Sequence, residues 1–235
     1  MNNYSNDRKV VNNSYELNSF LTKMYSWMSL AVLLSATTAY LLGNVFASQT
    51  MAILGSSRAT MWILLIAWFI LPMVISFQAM KRPTLSLVIL VVYAILTGAM
   101  FSTIFLAYSG TSIAAAFLSS ATIFITMTLF GLFTHRNLDK FGAQASAALI
   151  ALIIASIINI FLKSSLISFV FSIIAVIIFT ILTAYDTQKM KNIYNQYGNQ
   201  VSTTGLAIYG ALQLYLDFVN LFLQLLSIFG NSDRR

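Results

Sequence analysis

Gln213-Leu-Tyr-Leu-Asp217-Phe-Val-Asn220-Leu-Phe-Leu-Gln224 places a carboxylate inside an apolar run long enough to cross a bilayer. Gln213, Asp217, Asn220 and Gln224 sit at offsets 0, 4, 7 and 11, so on a helix they form one polar stripe. Leu216, Phe218, Val219, Phe222 and Leu223 cover the remaining surface. An ionisable group at mid-membrane costs roughly 2.5–3.5 kcal/mol on insertion scales, and such groups face a bundle interior or a water path. Asp217 is therefore the first functional candidate, and the three amides are the candidate lining of a pathway.

Composition makes this reading general to the chain. Of 235 residues, 59% are hydrophobic and 8% charged, against about a quarter charged in soluble domains. Mean hydropathy is +0.83. The apolar stretches are too many to be one signal peptide, and the first 23 residues, with Asp7, Arg8, Lys9, Glu16 and Lys23, lack a signal-type apolar core. They read as a polar cytoplasmic tail. The absence of cysteine excludes disulfides, thiolate metal sites and thiol nucleophiles. The net charge of +7 is scattered singly or in pairs between apolar runs, the pattern of membrane topology rather than of a phosphate-binding face, so no nucleic-acid partner is expected.

Charges and turn residues divide the chain into spans, each needing about 20 apolar residues. A first helix over 25–46 is followed by a polar, glycine-containing loop to Arg58. A second, 59–80, contains Pro72 and ends at Lys81-Arg82-Pro83. The uncharged block 84–134 is too long for one crossing, and Tyr108-Ser-Gly-Thr-Ser112 divides it into spans 84–107 and 112–134. After His135-Arg136-Asn-Leu-Asp139-Lys140 come spans 141–162 and 166–186, a polar connector 187–204, and a last span 205–229. The expected fold is thus all-α, an integral membrane protein with a seven-helix domain over 24–230 and a short tail 231–235. No internal repeat of the kind found in many transporters is visible.

Orientation follows from the Lys/Arg bias of the loops. With the N-terminus inside, Arg8, Lys9, Lys23, Lys81, Arg82, Arg136, Lys140, Lys189 and Lys191 are cytoplasmic, nine against the four of Arg58, Lys163, Arg234 and Arg235. The expectation is N-terminus in, C-terminus out.

Of six acids, Asp7, Glu16, Asp139 and Asp233 fall in tails or loops and read as solvated charges. Asp186 closes the sixth span one turn from Lys189, which admits a helix-end ion pair as well as a functional reading. The sixth and seventh spans are joined by a short connector and are expected neighbours. If Asp186 meets Asp217, both cannot ionise freely; they share a proton and titrate as a unit. That suits a pH sensor, or oxygen ligands that hold calcium transiently. The obstacle is depth: Asp217 lies about 18 Å into its helix at 1.5 Å per residue, while Asp186 is placed near the interface. The cytoplasmic pair Lys81-Arg82 offers a basic latch onto Asp186 or, equally, a topology marker that snorkels to lipid headgroups.

Other signals are weaker. Thr97, Ser102, Thr103, Thr122, Thr126, Thr128 and Asn159 read as helix-packing groups. His135 has no second imidazole for a metal site. Two intramembrane aspartates also make an aspartyl protease, and Tyr185-Asp186 resembles the first motif of that class. The second motif requires Gly-x-Gly-Asp, whereas Leu214-Tyr215-Leu216-Asp217 stands here. No nucleophile, base and oxyanion donor come together elsewhere, so no enzyme is expected.

Leu214-Tyr-Leu-Asp217-Phe-Val-Asn220-Leu-Phe-Leu, preceded by Tyr185-Asp186-Thr-Gln188 in a seven-span chain of this length, resembles the transmembrane Bax-inhibitor-motif family, specifically its bacterial members. The resemblance implies seven helices with the last one central and wrapped by the other six, in the cell membrane. It implies a calcium leak that responds to pH, with calcium as the permeating ion and no cofactor. A paired aspartate sensor falls by motif on Asp186 and Asp217, and a latching arginine on Lys81-Arg82. Some relatives carry an acid within the second helix; none stands between Ala59 and Met80 here. Bacterial relatives are also linked to a membrane-bound protease as regulators. Three functions follow as expectations: a pH-sensitive leak, a regulator of a membrane partner, or a calcium/proton exchanger. The sequence leaves open whether acid opens or closes the path.

Overall fold

Seven helices are long and apolar enough to cross a membrane in the computed structural model of the chain: Tyr15–Val45, Ala59–Gln78, Pro83–Ala107, Gly110–Phe133, Asp139–Leu162, Ser165–Tyr197 and Thr203–Gly230. The structure describes residues 4–55, 57–198 and 200–230, without the side chains of 4–14, 54, 55 and 58. The tail 231–235, with Asp233, Arg234 and Arg235, lies outside the described residues, as do the side chains of Asp7, Arg8, Lys9 and Arg58.

In chain order the helices are α1 (Tyr4–Tyr40, continued by a π turn over Leu41–Val45), α2 (Ala47–Gly55), α3 (Arg58–Gln78), α4 (Pro83–Phe101), α5 (Ile104–Ala107), α6 (Gly110–Phe133), α7 (Asp139–Leu162), α8 (Ser165–Tyr197) and α9 (Thr203–Gly230). The most buried is α9, which packs against α8, α1, α6, α4 and α3. α7 packs mainly on α8. Only a helix surrounded on most sides keeps a stripe containing a carboxylate away from lipid, and α9 is that helix.

Four boundaries differ from the sequence reading, each because packing overrides local polarity. The polar tail 1–23 is helical from Tyr4, so the first helix begins well before residue 24. Phe20, Met24, Met28, Ala31, Ser35 and Ala39 form one buried stripe along it. Phe20 stacks on Tyr194 at 4.4 Å between ring centroids, and Met24 fits against Gly210. The loop expected after residue 43 is instead the π turn, closed by Phe46 N–H donating to the Leu41 carbonyl at 2.8 Å, followed by α2.

Span 84–107 is interrupted at Ser102 and Thr103, whose hydroxyls donate to the carbonyls of Ala99 at 2.6 Å and Met100 at 3.0 Å. Hydroxyls bonded back to the preceding turn compete with the helix ladder and bend it. Gly43 of the π turn packs on this break, where a Cβ would lie 2.7 Å from the Ser102 carbonyl oxygen. The largest difference is at the end of the sixth span. The polar segment after residue 186 continues α8 for three more turns to Tyr197, leaving a connector of a few residues. Met190 and Tyr194 bury one face of this extension, and Gln188 is buried on the opposite one against the α6–α7 turn.

Thr97, Thr122 and Thr126 donate to the carbonyl four residues earlier in their own helices, and of the three Thr97 also joins two helices, accepting from Trp68 Nε1 of α3 at 3.1 Å, whereas Thr122 and Thr126 are exposed. Pro72 stands inside α3 without ending it, and the Ser76 hydroxyl donates to the Pro72 carbonyl at 2.8 Å.

Close approach at Gly131 sets the distance between α6 and α8. A Cβ there would fall against the Ala184 carbonyl oxygen, and 3.1 Å from the Thr187 Cβ. Gly131→Ala gains about 1 kcal/mol of helix propensity but overpacks a backbone contact, at about 1–3 kcal/mol. A net loss of up to about 2 kcal/mol is expected as a lower melting temperature in detergent micelles. Gly110→Ala on the same helix has open space around the new methyl and should show no loss. Equal behaviour of the two variants would refute the contact.

Candidate functional site

Asp217 on α9 and Asp186 on α8 are both buried, at 5% and 8% exposure. Their relative depth follows from the register of the α8–α9 hairpin. Ser172 bonds Ser227, and Met190 faces Gly210. In an antiparallel pair so registered, Asp186 lies level with Leu214, within one turn of Asp217, about 5 Å along the axis. The depth obstacle therefore disappears. It arose from ending α8 at residue 186, whereas Asp186 stands 11 residues before its end and Asp217 14 residues after the start of α9.

The charge inventory here is short. Lys189 Nζ lies 4.0 Å from Asp186 Oδ1, an ion pair one turn along α8. The same ammonium sits 5.5 Å from the centre of the Tyr185 ring, a cation–π contact. The two carboxylates repel each other, and Lys189 is the cation that acts on both. Asp217 Oδ2 is buried with no hydrogen-bond partner. A carboxylate removed from water is strongly disfavoured as an anion unless paired and hydrogen-bonded. One ammonium facing two carboxylates balances one negative charge, so this packing suits a pair that holds one proton.

The rest of the stripe is graded. Gln213, Asn220 and Gln224 are half-buried. Asn220 turns back onto its own helix, its amide donating to the Leu216 carbonyl at 2.8 Å. Tyr215, on the opposite face of α9, hydrogen-bonds Ser35 of α1 at 2.7 Å and meets the Tyr93 ring edge-on. The polar stripe and the hydroxyl cluster thus occupy different sides of the central helix.

Lys81 and Arg82 are exposed in the turn between α3 and α4, and neither forms an ion pair among the described residues. The end of α3 packs at Ala79 on Gly205, 12 residues before Asp217, or about 18 Å along α9. The structure therefore brings Asp186 to Lys189 and not to Lys81 or Arg82. No group of three or more His, Cys, Asp or Glu side chains that could hold a metal occurs among the described residues. A stable calcium site takes six to eight oxygens, so the two carboxylates by themselves do not make one.

The α8 extension contributes residues that the sequence reading did not assign to the site, although Thr187 and Gln188 stand in the motif Tyr185-Asp186-Thr-Gln188. Gln188 accepts from the Leu138 N–H and donates to the Arg136 carbonyl, both at 2.9 Å. Lys191 Nζ donates to the Leu132 carbonyl at 2.7 Å, at the end of α6. The Tyr25 hydroxyl of α1 donates to Thr187 at 3.3 Å. Residues flanking Asp186 thus tie α8 to α1 and to the turn between α6 and α7.

Comparison with known proteins identifies the family. The family described as inhibitor of apoptosis-promoting Bax1 matches residues 17–234. The inner membrane protein YbhL of Escherichia coli K12 is 39% identical over 219 residues, covering 92% of each chain. An uncharacterized membrane protein of Streptococcus pyogenes serotype M3 is 40% identical over 217 residues, 92% of this chain and 94% of its own. YrjE, an uncharacterized protein of Lactococcus lactis, is 39% identical over 230 residues, 96% of this chain and 97% of its own. With seven apolar helices and a buried aspartate pair on the last two, the chain is a multi-pass membrane protein that belongs to the Bax inhibitor-1 family, among its bacterial homologues.

Proposed function

We propose that the chain is a pH-sensitive calcium leak pathway, oriented N-terminus in and C-terminus out, in which Asp186 and Asp217 share a proton in the closed bundle. The observation that carries this reading is the unpartnered Oδ2 of Asp217 beside a second buried carboxylate and one ammonium. Losing the shared proton adds a charge that the dry packing does not satisfy, and such a charge costs several kcal/mol. The bundle then gains by admitting water or a cation along Gln213, Asn220 and Gln224. Calcium is cargo, met by carboxylate and amide oxygens in passing. Lys189 is the counter-charge of the closed arrangement. Lys81 or Arg82 serves as a latch only where the end of α3 approaches the pair more closely than it does here. Lipid surrounds the bundle, and no enzymatic step is assigned.

The test is calcium flux into liposomes holding the purified chain, followed from about pH 6 to about pH 8, around physiological pH, with and without an imposed proton gradient. A leak runs downhill only, at a rate set by pH. Uphill calcium movement driven by the gradient would make the chain an exchanger. No flux at any pH would leave a non-transporting regulator, whose partner, such as a membrane-bound protease, should copurify with it.

A further inference from the structure

A second polar site lies at the other end of the stripe. α7 and α8, with Gln224 of α9, border an open cavity of about 430 Å³ lined by Ser156, Asn159, Ser168 and Ser172 together with apolar side chains such as Ile160, and with Lys163 at the α7–α8 turn. At about 30 Å³ each it holds on the order of ten waters. Its position is unexpected, because hydroxyls and amides gather there between helices whose outer faces, such as Ile157 and Ile158, are apolar and exposed.

Asn159 indicates what fills it. The residue is 8% exposed. Its amide nitrogen donates to the Ser164 carbonyl at 3.2 Å and to Ser168 Oγ at 2.8 Å, which fixes the direction of the side chain. Its Oδ1 is left without a protein donor. A buried carbonyl left unsatisfied costs several kcal/mol, and cavities with polar groups in their lining hold ordered water that satisfies such groups. The nearby hydroxyls do not supply the missing donor, since Ser168 donates to the Ser164 carbonyl and Ser172 bonds Ser227 across to α9. Gln224 belongs both to this lining and to the stripe that begins at Gln213, seven residues or about 10 Å from Asp217.

We infer that this cavity is a water-filled mouth through which the polar stripe of α9 opens on the side of the membrane opposite the α8–α9 turn, and that hydrated cations enter or leave there. The inference rests on the leak reading for what passes, but not for whether the mouth is wet. Lys163, which ends α7 in a left-handed conformation with φ 53°, is exposed at the rim. Its charge lowers the local concentration of divalent cations, which suits a slow leak rather than a fast channel.

The chain contains no cysteine, so an introduced one is the sole thiol. Ser168→Cys, nearly isosteric, and Gln224→Cys are made in the full chain in liposomes, with lipid-facing Ile157→Cys as the control. A membrane-impermeant cationic methanethiosulfonate is applied from the side of the α7–α8 turn. Both mouth variants should label at least about tenfold faster than the control, since the reagent reacts with the thiolate, which forms only in water. Labelled Gln224→Cys should lose most of its calcium flux. Labelling no faster than the control would show a dry cavity and overturn the inference. Full labelling with flux unchanged would place the cavity off the path and overturn it equally. If the unmodified chain passes no calcium, the leak reading fails, while the labelling rates still decide whether the mouth is wet.

Discussion

Asp217→Asn is expected to flatten the pH profile of calcium flux, while the wild-type chain shows flux that rises as pH rises. The sign follows from the closed packing. Two buried carboxylates face one ammonium 4.0 Å from Asp186, and Asp217 Oδ2 has no donor. The arrangement is neutral with one proton on the pair and carries an uncompensated negative charge without it. Acid therefore favours the closed bundle, and loss of the proton favours one in which the carboxylates meet water or calcium. One linked proton changes the closed-to-open ratio by at most about tenfold per pH unit. The wild-type response between about pH 6 and about pH 8 is bounded at about a hundredfold. Asparagine keeps the size and polarity of Asp217 but cannot ionise, and it leaves Asp186 paired to Lys189 as an ordinary ion pair one turn along α8. The titration of the pair is thereby removed without emptying the site. A variant that keeps the wild-type slope would rule out proton sharing as the gate. A slope of opposite sign in the wild type would mean that the closed state is the one with both carboxylates ionised.

How far this site was legible in the sequence depends on which property each residue shows locally. Asp217 was legible because a carboxylate in an apolar run of that length conflicts with the cost of burying it, and helical spacing then supplied the stripe. The seven spans followed from charge interruptions for the same reason. Helix ends were not legible where the chain leaves the membrane but keeps packing. Thr187–Tyr197 is polar by composition yet helical, because Met190 and Tyr194 bury one face and Gln188 the opposite one against other parts of the fold. The same holds for the polar start of α1, which stays helical where Phe20 meets Tyr194. Those extensions carry Asp186 inward from the apparent interface to the level of Asp217. The oxygen-lined cavity at Asn159 was hidden for a related reason. Ser156, Asn159, Ser168, Ser172 and Gln224 come from three helices, and in sequence each resembles an ordinary packing group.

Gln188→Leu is expected to lower stability by about 2–4 kcal/mol, the cost of leaving two backbone groups without their partner. In a chain of this size that corresponds to roughly 5–15 °C in melting temperature. Gln188 is 8% exposed and uses both ends of its amide, accepting from Leu138 N–H and donating to the Arg136 carbonyl. Leucine fills a similar volume but offers neither function, so the buried Leu138 N–H loses its acceptor at the start of α7. Gln188→Glu separates the two bonds. Its carboxylate still accepts from Leu138 N–H but repels the Arg136 carbonyl, and it adds a negative charge two residues from Asp186. The Glu variant should therefore be intermediate in stability, and its flux profile should shift along the pH axis. Since Gln188 and Lys191 together tie the α6–α7 turn to α8, loosening this tie frees α6 from the helix that carries Asp186. Leu should then also raise flux in the acid range, where the wild-type bundle is closed. If Leu and Glu melt with the wild type, the amide is only filling space, and the rigid unit of α6, α7 and α8 that it implies does not exist.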